Sequence, residues 1–210
     1  NLISQMLLAM IVPLLLVLGA PIALLVRTVP PARKERPTAA RQAVAALVNL
    51  PLTRASAHPL VILILFVGSF CAIYLTPLFD AAISSHLGNI LMNASLLVAG
   101  FLFYWVIIGA DPAPGPDGYP IRVALLLTTM LFHALFGLSI MMRGSLMGAN
   151  YYQSLGLPWL FSGSGDPLSD QRLGGAVAWV LAEFSLLVVI VVLLAQWART
   201  AHARRAAERY

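Results

Sequence analysis

The sequence predicts an all-α polytopic transmembrane helix bundle with five spans. Three observations carry that reading: 60% of the 210 residues are hydrophobic, only 10% are charged, and the mean hydropathy is +0.88. A soluble globular chain carries about 25% charged residues, and a chain with less than half of that cannot cover a water-facing surface of its own. A soluble enzyme, a disordered tail and a disulfide scaffold are excluded on the same ground. The single cysteine, Cys71, has no intramolecular disulfide partner, and no C-x-x-C or zinc-ligand spacing occurs. Alternating strand patterns of the kind a membrane β-barrel needs are absent.

Crossing a bilayer takes about 20 consecutive apolar residues in a helix. The first expected span is Met6 to Val26, uncharged, with Pro13 and Pro21 inside it. Such prolines are tolerated at membrane depth because lipid offers the backbone no competing partner. The second is Pro59 to Phe79, also uncharged, and the third runs from Leu87 to Ala110. The fourth, Val123 to Met142, holds one ionisable residue, His133; the fifth, Leu173 to Ala198, holds one, Glu183. Between them, residues 38–50 suit a short interfacial helix, and the run from Asp111 to Pro120, with its four prolines and two glycines, breaks any helix. Residues 143–172 form a 30-residue segment with Tyr151, Tyr152, Trp159 and Phe161. Its aromatics suit either a headgroup belt or a docking surface for a protein partner.

The basic residues set the orientation. Arg27, Arg33, Lys34, Arg36, Arg41, Arg54, Arg122, Arg199, Arg204, Arg205 and Arg209 fall on one side of a five-span chain, and only Arg143 and Arg172 on the other. The positive-inside rule then makes the basic loop 27–57 and the C-terminus cytoplasmic, in a multi-pass protein of the cell membrane. The net charge of +5 is thereby assigned to lipid headgroups, with no nucleic acid implied. The chain opens on an apolar run without an initiator Met or a charged leader, and reads as a fragment of a longer chain preceded by further spans.

Ionisable groups at membrane depth are functional candidates by default. His133 is ten residues in from Met142, and Glu183 ten in from Leu173. At 1.5 Å per residue both lie roughly 15 Å below the same boundary, which predicts a His133–Glu183 pair across neighbouring antiparallel helices. One reading makes it structural, each group satisfying the other; another makes it a metal- or proton-handling pair. Soft donors form a second group: Met6 and Met10 on one face of the first span, Cys71 in the second, Met92 in the third, and Met130 one turn before His133. Thioether, thiol and imidazole together suit Cu(I), although Met also fills gaps in apolar cores. Asn89 and Asn93, four apart, suit an interhelical hydrogen-bonding face. Paired catalytic carboxylates, a nucleophile with an adjacent base and a Walker loop are all missing, so no enzyme chemistry is expected.

Several strings resemble the CtaG family of cytochrome c oxidase assembly factors. They are Pro13-Leu-Leu-Leu-Val-Leu-Gly-Ala-Pro21, His58-Pro59 at the start of a span, Leu97-Val-Ala-Gly-Phe-Leu-Phe-Tyr-Trp105 and Gly109-Ala-Asp-Pro112. Phe132-His-Ala-Leu-Phe-Gly137, Gly156-Leu-Pro-Trp159, the stretch from Asp170 to Trp179, and Gln196-Trp-Ala-Arg199 continue the match in the same order. The chain is most similar to the actinobacterial form, in which this module follows a CopD-like copper-resistance module. The resemblance implies a membrane chaperone of the respiratory chain. It would help a haem–copper oxidase mature, with copper as cargo and oxidase subunits as partners in the lipid bilayer. The sequence departs from the family pattern where a His-Met-x-x-His block would fall on Asn1 and Gln5, and where histidines would fall near Asn89 and Ser95. His133 and Glu183 stand at matching positions. Two functions therefore stay open: copper handling or delivery through His133, Glu183, Cys71, Met130, Met92, Met6 and Met10, or an accessory membrane subunit that kept the fold and lost its metal ligands.

Overall fold

The computed structural model describes residues 2–20, 24, 58–109, 118–154 and 166–207. Every regular element among them is helical. The first rod is built from α1 (Leu2–Met6), a π-helical turn (Leu7–Ile11) and α2 (Val12–Leu18). Pro13 accounts for the irregular turn. It has no N–H to give to the Ala9 carbonyl, and its ring crowds that oxygen. The helix widens ahead of it, so that the Val12 N–H reaches back to the Leu7 carbonyl, five residues earlier.

Helix α3 (Pro59–Tyr74) starts at His58, whose Nδ1 accepts from the Leu60 N–H at 3.3 Å. It ends where Thr76 turns its hydroxyl onto the Ala72 carbonyl and accepts the Leu78 N–H, ahead of Pro77. The short α4 (Leu78–Ile83) follows. Helix α5 (His86–Ile108) is capped by the Ser85 hydroxyl, which accepts from the Gly88 N–H at 3.0 Å. Its other end stops at Gly109, in the left-handed conformation at φ 61°, where the Arg122 guanidinium donates to the Ile107 carbonyl at 3.1 Å. Helices α6 (Tyr119–Met141), α7 (Ala149–Ser154) and α8 (Pro167–Ala207) complete the described elements.

Among the described residues, three helices are long and apolar enough to cross a membrane: His86–Ile108, Tyr119–Met141 and the Pro167–His202 part of α8. They are the third, fourth and fifth expected spans. The other two are shorter, Ile3–Leu18 and Leu60–Tyr74. The second expected span does not run unbroken to Phe79; the break at Thr76 and Pro77 assigns Phe79 to α4. The 16 residues of α3 cover about 24 Å of a hydrocarbon core about 30 Å thick. The fifth helix does not stop at Ala198. It continues to Ala207, and its 41 residues reach about 60 Å. The basic loop 27–57, with the expected interfacial helix at 38–50, lies outside the described residues.

The rods close into a ring. The first packs on α5 and α8, α5 on α3, α3 on α6, and α6 along most of its length on α8. Two contacts depend on glycine. A Cβ at Gly100 would stand 2.1 Å from the Ala9 carbonyl oxygen, so α5 meets the π turn backbone to side-chainless backbone. A Cβ at Gly137 would stand 2.8 Å from the Trp179 Cβ, which brings α6 close to α8. The centre of the ring is filled by an aromatic ladder on α3. Phe66, Phe70 and Tyr74 recur every fourth residue and so share one face. Phe66 stacks on Phe103 of α5 at 4.4 Å, and Phe70 and Tyr74 meet Phe136 of α6 edge-on at 5.7 and 5.4 Å.

Candidate functional site

His133 is in the middle of α6 and is 1% exposed. Its Nδ1 lies 2.9 Å from the Thr129 carbonyl oxygen, one turn back. An imidazole nitrogen facing a carbonyl must carry the proton, which leaves Nε2 as the lone-pair nitrogen. Nε2 is buried and without a hydrogen-bond partner. Around the ring stand Phe66 at 5.8 Å, Phe70 at 5.5 Å and Phe132 at 5.4 Å. The imidazole thus faces the ladder on α3.

Glu183 does not meet it. Its Oε1 accepts from Trp179 Nε1, one turn away on α8, at 3.1 Å, while Oε2 has no partner. The expected His133–Glu183 pair is therefore not made. Equal depth was the whole basis for expecting it, and depth ignores rotation about the helix axis. Helix α8 buries Ala178, Ala182, Ser185 and Leu186, whereas Glu183 stands about 100° round from Ala182, beside the exposed Phe184 and Val180.

The soft donors divide into two groups. Met6, Met10 and Met92 are fully buried on the inner faces of the first rod and α5. Cys71 is only half-buried, next in sequence to the inward-facing Phe70, and Met130 is half-buried at the edge of the core. Two of the buried thioethers have polar neighbours. Gln5 Nε2 donates to Met92 Sδ at 3.7 Å, and Gln5 Oε1 accepts from the Tyr74 hydroxyl at 2.5 Å. Deeper in the bundle, the Tyr104 hydroxyl lies 3.7 Å from Met10 Sδ and 3.3 Å from Ser185 Oγ, whose own proton goes to the Ala182 carbonyl at 2.8 Å. Asn93 bonds to Asn89 one turn back on the same helix, Nδ2 to Oδ1 at 2.6 Å, so this bond is made within α5 and not between helices as expected.

No group of three or more His, Cys, Asp or Glu side chains comes together among the described residues. The bundle centre offers thioethers and one imidazole lone pair, which suit a soft monovalent cation; the oxygens Glu183 Oε2 and Asn93 Oδ1 are also buried without a partner. Gln5, Tyr74, Tyr104 and Ser185 are polar groups beside the buried thioethers that the sequence did not single out as candidates. The signal for Gln5 was present: it is an amide in an otherwise apolar stretch, one residue before Met6. Tyr74 was marked only by completing the four-residue aromatic period.

A polar strap closes the same end of the bundle. Arg143 Nη1 donates to the Tyr74 carbonyl at 3.3 Å. Asp80 of α4 accepts from the Gly148 N–H at 2.9 Å. Gln171 of α8 accepts from the Met147 N–H at 2.8 Å and donates to the Ser145 carbonyl at 3.2 Å. Gly148, at φ 70°, is wedged against Ile83, Tyr152 and Phe79. Tyr151 and Tyr152 of α7 meet edge to face at 5.5 Å. Trp159 and Phe161, the other two aromatics of the expected docking segment, lie outside the described residues.

The family model described as cytochrome c oxidase caa3 assembly factor (Caa3_CtaG) matches residues 1–200. An uncharacterized protein of Mycobacterium bovis is 44% identical over 196 residues, which are 93% of this chain and 29% of that protein. An uncharacterized protein of Mycobacterium leprae is 41% identical over 199 residues, 95% of this chain and 30% of that one. The chain thus spans less than a third of the length of these relatives. No solved structure matches it.

Proposed function

This chain belongs to the Caa3_CtaG family of cytochrome c oxidase caa3 assembly factors, and from that premise we propose that it is an integral membrane assembly factor that handles Cu(I) for a haem–copper oxidase. It performs no catalysis of its own. Copper is its cargo, and oxidase subunits in the same bilayer are its partners. The observation that carries the copper reading is the donor chemistry of the bundle centre: the buried thioethers of Met6, Met10 and Met92, with the unpartnered His133 Nε2 on the opposite wall. Buried unpaired acceptors are uncommon in folded proteins and call for a reason; a lone pair kept for a soft cation is one. Thioethers hold Cu(I) without charge, so the ion can enter and leave an apolar bundle without a deprotonation step. In this reading the Tyr74 end of the bundle, with the strap, faces the outside of the cell.

An accessory role without copper is the second reading, and Gln5 favours it: its amide is bonded at both its nitrogen and its oxygen inside the bundle, between Tyr74 and Met92. Replacement of His133 by Phe separates the two. The ring is already surrounded by Phe66, Phe70 and Phe132, so Phe should be accommodated with membrane abundance unchanged. In cells that lack the native gene, the copper reading expects His133→Phe to lower the copper content and activity of the oxidase at normal chain abundance. Full oxidase activity in that variant would overturn the role of His133.

A further inference from the structure

We propose that the Met92 thioether is a ligand for a soft monovalent cation and that Gln5, held by Tyr74, is a latch that keeps this ligand occupied. The inference rests on the copper reading above and names the residues that regulate that site.

Three hydrogen bonds in series carry it. The Arg143 guanidinium donates to the Tyr74 carbonyl at 3.3 Å, the Tyr74 hydroxyl donates to Gln5 Oε1 at 2.5 Å, and Gln5 Nε2 donates to Met92 Sδ at 3.7 Å. Gln5, Tyr74 and Met92 are each buried, on the first rod, α3 and α5 respectively. A thioether is a weak hydrogen-bond acceptor and a good soft-metal donor. An amide N–H pointed at the sulfur occupies one of its two electron pairs and blocks approach from that side. A cation approaching Met92 from that side must first turn the Gln5 amide away.

That turn is opposed from the far side. Gln5 Oε1 is fixed by the Tyr74 hydroxyl, and a buried amide that loses its partners keeps its desolvation cost. Tyr74 is in turn the last residue of α3, tied through its carbonyl to Arg143, the first residue of the strap. A contact that displaces the strap acts on Tyr74 directly and on Met92 through one side chain. The described conformation is the latched one. The geometry also gives Gln5 a definite part: it sets the affinity of a neighbouring ligand without being one.

The test is Cu(I) affinity of the purified full chain in lipid nanodiscs, measured anaerobically by competition with a chromophoric Cu(I) chelator. Removing the amide donor in Gln5→Leu should tighten binding by about fivefold, the worth of one net hydrogen bond. Tyr74→Phe, which deletes a single oxygen and keeps the aromatic ladder, should shift affinity in the same direction by less. Met92→Leu should weaken binding, and in that background Gln5→Leu should have no further effect. A merely structural Gln5 would not show that dependence on Met92. Binding by Gln5→Leu where the wild type binds none supports the latch in its strongest form. Equal affinities for wild type, Gln5→Leu and Tyr74→Phe overturn the latch and leave copper handling standing. Absence of binding in all of these chains overturns the copper reading and the latch together.

Discussion

At Gly100 a single missing methyl group lets α5 rest on the Ala9 carbonyl of the π turn. Gly100→Ala should cost about 1–3 kcal/mol, the usual range for overpacking, and lower the unfolding temperature in detergent. Gly68 is the internal control. It is helical, in α3, and a Cβ there meets nothing within 4 Å. Gly68→Ala should be neutral or slightly stabilising, since Ala is favoured over Gly in helices by about 1 kcal/mol; equal losses at both sites would mean that the Ala9 contact is not tight. His133 and Glu183 make the second residue-level prediction. They share no hydrogen bond, so the stability changes of His133→Phe and Glu183→Ala should add within about 0.5 kcal/mol. The Glu183 change alone should cost roughly 0.6 kcal/mol, the average for a polar contact inside a membrane bundle. A double variant far from the sum would show that the two groups are coupled after all.

Among the elements, the described part of the strap, residues 143–154, is held by side chains from its neighbours and by Met147 and Tyr151 packing on the core. Gln171 makes two of those bonds, to Met147 and Ser145. Each is worth about 1 kcal/mol net, so Gln171→Ala should loosen the strap by about 2 kcal/mol. Hydrogen exchange at the Met147 and Gly148 amides should rise by more than tenfold, while α5 near Trp105 keeps its protection. Unchanged exchange at Met147 would mean that Asp80 and Arg143 suffice to hold the loop. The break between α3 and α4 teaches a related lesson about reading elements. Hydropathy runs on through Phe79, and only the local hydrogen bonding of Thr76 ahead of Pro77 ends the helix at Tyr74. That ending matters, because it leaves the Tyr74 carbonyl open to Arg143.

At the scale of the whole molecule, the orientation expected from the distribution of basic residues is tested by labelling. In a Cys71→Ser background, a cysteine at the exposed Ser154 of α7 should react with an impermeant thiol reagent in whole cells, and one at the exposed His202 of α8 only after lysis. The reverse pattern would invert the protein and put the strap in the cytoplasm. The sequence by itself determined the class and the membership. Composition and hydropathy demand helices in a membrane, because backbone groups in lipid must be satisfied within each span, and ordered short strings suffice to identify the family. It also selected the residues that are buried at the bundle centre, His133, Met6, Met10 and Met92, because polar and soft groups stand out against an apolar background. What only the tertiary structure decided was rotation and reach. Depth along a span can be counted from its ends, but which way a side chain points depends on helix packing. Gly137 and Trp179 set how α6 meets α8, leaving His133 facing the aromatic ladder and Glu183 facing Trp179. The bonds joining Gln5, Tyr74 and Met92 link three separate helices, and contacts between residues so far apart in the chain arise only when the ring closes.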